Sequence, residues 1–248
     1  MQLAKKNAIV YGAARPIGSA VARAFAREGA SVFLAGRTTA TLDQVAADIR
    51  AAGGTAETAQ VDAMDKASVD AHADRVAAEA GSIDISFNAV GVPVVQNIPL
   101  TEISPDDFLG PIVGICRTHF LTATAAVRHM TVQGSGVVVT LSATSAKETR
   151  HEMGGFSLAN AAIEALTRSL AGEVGRYGVR VVGLRSNFTP ETYPQVTAEQ
   201  VAPLVKDTLL GRLPRLSELA DTAVYLASDA AGAMSGATVN LSCGAIID

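Results

Sequence analysis

Several features are scarce or missing in these 248 residues, and each absence removes a class of function. No stretch approaches the roughly 20 apolar, charge-free residues that a membrane-spanning helix needs, so a membrane partner is not expected. The 20 Lys and Arg are scattered among 24 Asp and Glu, for a formal charge of -4. That distribution excludes a surface that tracks the phosphates of a nucleic acid. Only two cysteines occur, Cys116 and Cys243, both in apolar segments without metal-ligand spacing, which predicts free buried thiols and no metal site. No internal repeat and no low-complexity tract is present. The stretch MQLAKKNAIVYG has two lysines followed by a short apolar run without a small-residue cleavage site, so it predicts a strand and not a signal peptide. A cytoplasmic protein acting on a small molecule is the expectation.

What the chain does have is a regular alternation. With 48% hydrophobic and 18% charged residues, it is long enough for one large α/β domain spanning 1-248. Short runs rich in Val, Ile and Leu alternate with stretches of helical period, which predicts repeated βα units on a parallel sheet. Seven strands are expected, at 7-12, 31-36, 55-62, 83-90, 136-143, 179-185 and 237-243. Helices are expected at 18-29, 41-53, 66-81 and 159-175, closed by Gly29, Gly53, Gly81 and Gly175 as left-handed caps. The segment 188-212 carries three prolines and breaks the alternation, so it reads as a lid over the carboxyl ends of the strands.

The first expected strand runs into YGAARPIGSA, where Gly12 and Gly18 flank a tight turn that opens a helix. Backbone N–H groups and the positive end of a helix dipole at such a turn suit a pyrophosphate. The second strand ends in Gly36-Arg37, with no acidic residue where a dinucleotide fold reads the adenosine ribose. A guanidinium there suits a ribose 2′-phosphate, and Arg15 adds a second positive charge. The pair favours NADP(H) over NAD(H).

These motifs resemble those of the short-chain dehydrogenase/reductase family, over essentially the full length. The family's TGxxxGxG appears as Tyr11 to Gly18, its aspartate after the third strand as Asp62, and its NNAG as Asn88-Ala89-Val90-Gly91. The C-terminal wording IEALTRSLAGEVGRYGVRVVGLR agrees as well. The resemblance implies a Rossmann-like doubly wound parallel sheet and a homo-oligomer, a tetramer, packed through helices around 108-130 and 156-175 and the tail from Ala237. It also implies a cofactor-binding set of Gly12, Ala14, Arg15, Ile17, Gly18, Arg37, Asp62, Ala63, Asn88 and Ala89. Two departures fall inside the turn, Tyr11 for threonine and Pro16 for the middle glycine. Proline there fixes φ and adds bulk near the expected phosphate.

The departures are greater at the chemical end. The family protonates a nascent alkoxide with a tyrosine whose pKa a nearby lysine lowers; a serine polarises the carbonyl and an asparagine anchors a relay water. The corresponding positions fall on Phe156, Asn160, Ala143 and Ile115. The chain's four tyrosines, Tyr11, Tyr177, Tyr193 and Tyr225, lie far from Phe156 in sequence. The family's Pro-Gly after the sixth strand, beside the nicotinamide amide, reads Ser186-Asn187. Two functions follow as expectations: an NADP(H)-binding protein without ordinary ketone reductase activity, serving as a sensor or partner subunit, or an enzyme with a substitute acid or base. Substitutes would come from Ser142, Ser145, Lys147, His151 or Glu152 in the loop, or from Tyr193. His119, one turn from Ile115, reads as a structural histidine.

Overall fold

Ala8 and Val10 of the first strand face one way, Ile9 and Tyr11 the other, and all four are buried. A strand covered on both faces belongs to a parallel sheet sandwiched between helices. That is the architecture of the protein in this computed structural model, which describes residues 1-148 and 152-248. Seven strands form one parallel sheet: β1 (Asn7–Tyr11), β2 (Ser31–Gly36), β3 (Thr55–Gln60), β4 (Ile85–Asn88), β5 (Gly136–Ala143), β6 (Val179–Ser186) and β7 (Thr238–Leu241). Their order is β3-β2-β1-β4-β5-β6-β7. The expected fold class and strand count are observed.

Helices α1 (Pro16–Arg27), α2 (Thr39–Ala51) and α7 (Leu216–Ala227) cover one face, and α3 (Lys66–Ala80), α4 (Pro105–Gln133) and α5 (Phe156–Val174) the other. The sheet grows in opposite directions from β1 and β4, which makes the gap beyond their carboxyl ends the topological switch point. α6 (Ala198–Lys206) lies within 188-212 and has no buried residue. Phe188 and Tyr193 stack at 5.1 Å at the start of that segment.

Three of the four expected glycine caps are left-handed, Gly29, Gly53 and Gly81. Gly175 is not: at φ -55° it continues right-handed into a 3-10 turn, and the left-handed residue is Gly178 at φ 74°. A Cβ on Gly178 would lie 2.3 Å from the Gly134 carbonyl oxygen, so a close backbone approach fixes glycine there. Cys116 and Cys243 are free thiols as expected, but they are half-buried and not enclosed. Among the described residues no helix is long and apolar enough to cross a membrane, and no cluster of His, Cys, Asp and Glu could hold a metal.

Candidate functional site

A cleft of about 530 Å³ opens at the switch point. Its wall includes Gly12, Ala14, Arg15, Arg37, Asp62 and Ala63, so six of the ten expected cofactor residues meet there. The turn between β1 and α1 is shaped by contact. A Cβ on Gly12, at φ 72°, would lie 2.6 Å from the Ala89 carbonyl oxygen, and one on Gly18 would lie 2.3 Å from the Gly12 carbonyl oxygen. Only glycine allows this packing.

Pro16 occupies the first position of α1, where proline's missing N–H costs nothing because that group has no intrahelical partner. The first helical bond runs from the Ser19 N–H to the Arg15 carbonyl, so the amides of Ile17 and Gly18 precede it. Tyr11 swings its ring into the layer between sheet and α3, 5.9 Å from His72 and edge-on. Burial, with Asp70 nearby, pushes its phenol well above the ordinary tyrosine pKa. Tyr11 still contributes to the cleft wall, whereas Pro16 is exposed at the helix start and is not part of that wall.

Asn88 and Ala89 stand behind the wall. Asn88 Nδ2 donates to Thr122 Oγ1 at 2.9 Å and its Oδ1 accepts from the Val90 N–H at 2.8 Å, while the Ala89 N–H donates to the Tyr11 carbonyl. Their role is to hold the turn that Gly12 packs against. Asp62 caps its own turn through the Met64 N–H at 2.9 Å. The Arg15 side chain lies over Gly91, within 3.2 Å of where a Cβ on that residue would stand. Thr38, Thr41, Met64 and Val113 also line the cleft and were not foreseen. Thr38 was detectable in principle as the N-cap of α2 beside Arg37; Met64 and Val113 are apolar residues that only the folded register brings in.

Beyond the cleft, Ile115, Ala143, Phe156 and Asn160 converge from three separate elements. Ile115, Ala159 and Ile163 form a small apolar cluster against which Val92, Ile112, Cys116 and Phe156 pack. Asn160 is 4% exposed. Its Oδ1 accepts from the Ala143 N–H at 2.9 Å, and its Nδ2 donates to the Phe156 carbonyl at 2.8 Å and reaches Ser145 Oγ at 3.5 Å.

A family model described as Enoyl-(Acyl carrier protein) reductase matches residues 12–245. A gluconate 5-dehydrogenase of Gluconobacter oxydans (strain 621H) is 32% identical over 240 residues, 94% of this chain and 92% of that one. The chain belongs to the short-chain dehydrogenase/reductase family. Solved short-chain dehydrogenase/reductase structures superpose closely. A gluconate 5-dehydrogenase from Burkholderia cenocepacia J2315, in complex with NADP and tartrate, has TM-score 0.90 at 27% identity, covering 98% of this chain and 96% of that one. A 7 alpha-hydroxysteroid dehydrogenase complexed with NADH and 7-oxo glycochenodeoxycholic acid has TM-score 0.87 at 26% identity, covering 100% and 96%.

Within this short-chain dehydrogenase/reductase fold, Ser142, Ser145 and Lys147 among the substitute acids and bases already have side-chain partners. Ser142 Oγ donates to Glu164 Oε1 at 3.1 Å. Glu164 in turn holds the buried Arg185 at 2.7 and 2.8 Å, and Arg185 holds Asp248, which also pairs with Lys147. Ser145 is buried beside Asn160. Glu152 is exposed and left-handed at φ 59°, and its carbonyl accepts from the Asn97 N–H. His151 lies outside the described residues. His119 is buried, with Nδ1 3.0 Å from the Ile115 carbonyl oxygen, and burial pushes its pKa down to about 4, which keeps it neutral near pH 7. Ser186 and Asn187 are buried too; Asn187 Oδ1 accepts from the Phe188 N–H at 2.7 Å and its Nδ2 donates to the Ser242 carbonyl at 3.5 Å.

Proposed function

We propose that this chain is an NADP(H)-binding protein of oxidoreductase ancestry that does not carry out ordinary ketone reduction. One observation carries the reading. Asn160, at the family's lysine position, is buried with its amide turned onto the Ala143 N–H and the Phe156 carbonyl, between two apolar residues at the other family positions. An amide has two donors and one acceptor oxygen, and here both ends already have partners. Asn160 supplies no cation to lower a phenol's pKa, and Phe156 supplies no phenol.

The residues present fit the cofactor's adenosine half. Gly12 and Gly18 allow the tight backbone turn that opens α1, and the Ile17 and Gly18 amides at the start of that helix suit the diphosphate. Arg15, Arg37 and the N-terminus of α2 present positive potential for a 2′-phosphate. When bound, NADP(H) supplies or accepts a hydride. The NADP complex of the Burkholderia relative agrees with this preference, although the steroid dehydrogenase holds NADH.

The expected homotetramer belongs to the same proposal. Leu109, Val113 and Phe120 on α4 and Leu158 on α5 are at least half exposed, an apolar surface that a second copy would cover. Light scattering that gives a mass near 25.4 kDa would refute it. Cytoplasmic location and a small-molecule ligand complete the proposal, and 188-212 acts as its lid.

A second reading, an oxidoreductase with a substitute acid, is favoured by Tyr193 alone, which is half exposed on that segment. Purified protein assayed with NADPH and a panel of ketones, beside a fluorescence titration with NADPH, separates the two. Saturable binding without turnover supports the first reading, and steady turnover refutes it.

A further inference from the structure

The cleft stops short of the chemical end. Its far wall is made by Val92, Pro93, Gly110, Val113 and Gly114, and among the described residues it includes none of Ala143, Ser145, Phe156, Asn160 or Asn187. Two loops that would flank a nicotinamide and its substrate meet each other instead. The Asn97 N–H donates to the Glu152 carbonyl at 2.8 Å, and Gln96 Nε2 lies 3.5 Å from Met153 Sδ. Just beyond, a Cβ on Gly155 would fall 1.8 Å from the Phe108 carbonyl oxygen, so the start of α5 lies directly on the first turn of α4. Ile112, 3.2 Å from where that Cβ would stand, and Phe156 both pack on the cluster of Ile115, Ala159 and Ile163.

The polar groups that would be needed there are also engaged. A nicotinamide ribose needs hydroxyl partners and its carboxamide needs a donor and an acceptor, yet the amides of Asn160 and Asn187 are both turned onto backbone groups. Placing the nicotinamide half inward would break these bonds and leave buried polar groups without partners, so nothing favours its entry.

Resting on the NADP(H) reading above, we infer that the site recognises only the adenosine half of the dinucleotide: a 2′-phosphorylated adenosine 5′-diphosphate, whatever group the diphosphate carries. The nicotinamide half stays outside and adds no affinity. Binding is therefore blind to the redox state of the cofactor, and the protein reports the pool of the 2′-phosphorylated adenylate, not its reduction.

Isothermal titration with NADPH, NADP⁺, 2′-phospho-ADP-ribose and reduced nicotinamide mononucleotide tests this. The first three are expected to bind within about threefold of one another, and the mononucleotide to show no saturable binding at about millimolar concentration. The nicotinamide fluorescence of NADPH should keep its free-solution maximum at saturation, and Arg37→Ala should weaken the three adenylates by one common factor. NADPH or NADP⁺ binding about tenfold or more tighter than 2′-phospho-ADP-ribose overturns the inference while leaving NADP(H) binding intact. A blue-shifted NADPH emission, or saturable binding of the mononucleotide, does the same. If none of the adenylates binds, the NADP(H) reading falls and the inference with it.

Discussion

Asn160 now stabilises the end of β5, and replacing it should reveal this as lost stability. Its Oδ1 takes the Ala143 N–H at 2.9 Å, where the strand ends and the chain turns toward α5. In Asn160→Ala that donor is left with water alone, and Ala143 is half-buried. An orphaned buried donor costs about 1-3 kcal/mol, and the lost packing of the amide adds to it, so a net loss of about 2 kcal/mol is expected. For a chain of this size each kcal/mol moves Tm by roughly 2-4 °C, which predicts a fall of about 4-8 °C. Asn160→Lys, the family residue, should do no better. It sets an ammonium at a position 4% exposed, and the nearest carboxylate on α5, Glu164, is already paired in both oxygens with Arg185. Urea unfolding followed by circular dichroism, at one fixed protein concentration, measures both variants. If Asn160→Ala stays within about 0.5 kcal/mol of wild type, or Asn160→Lys is equally stable, then the amide is no clamp and the observation behind the proposed function loses its force.

Arg37→Ala should weaken NADPH binding by about tenfold or more, in line with about 1.5-3 kcal/mol for a charge-assisted contact, and leave NADH unchanged; equal losses for both cofactors would place the guanidinium elsewhere. Stability should fall as pH drops from about 6.5 toward 4, because burial holds both His72 and His119 down at about 4. The sign follows from the depressed values: the unfolded chain takes up protons that the folded one refuses, so stability is full above the unfolded pKa and is lost as pH falls through the folded one. Each pKa unit is worth about 1.4 kcal/mol, so each buried histidine contributes on the order of 3 kcal/mol; urea midpoints that do not change between pH 7 and pH 5 would refute this. The fourfold change Ile115→Asn, Ala143→Ser, Phe156→Tyr and Asn160→Lys should leave ketone turnover with NADPH at the wild-type level, since it keeps the Asn97–Glu152 and Gly155–Phe108 contacts that close the nicotinamide end; turnover gained by it would refute that closure.

The seven-stranded parallel sheet was legible because both faces of each central strand are apolar and the helices between them have a clear period. The glycine turn was legible for a different reason: backbone closeness at Gly12 and Gly18 excludes every other side chain, so the requirement is written in residue type. Gly175 misled because helical hydrogen bonding runs on as a 3-10 turn, and the deciding contact, Gly178 with Gly134, joins segments 44 residues apart. Ile115, Ala143, Phe156 and Asn160 were visible in the sequence as the residues expected at the chemical end. What they do there was not, because the bond from Ala143 to Asn160 and the packing of Ile115 on Ala159 depend on how β5, α4 and α5 meet. Arg185 was also missed. Nothing in VRVVGLR marks it as the centre of a buried ion-pair network that reaches Glu164 and Asp248.

The two ends of this site differ in what they are made of, and that difference explains how one can change while the other stays. The proposed adenosine end rests on a backbone turn, two helix starts and a few charges around the switch point. The proposed chemical end rests on side chains, and those present there have structural work. Ile115 packs on Ala159, Asn160 ties β5 to α5, and Gly155 lets α5 settle against α4. Once such contacts exist, restoring one polar group buries it unpartnered and costs stability before it can return any rate. Asn160→Lys and Phe156→Tyr are therefore each expected to cost stability when made alone.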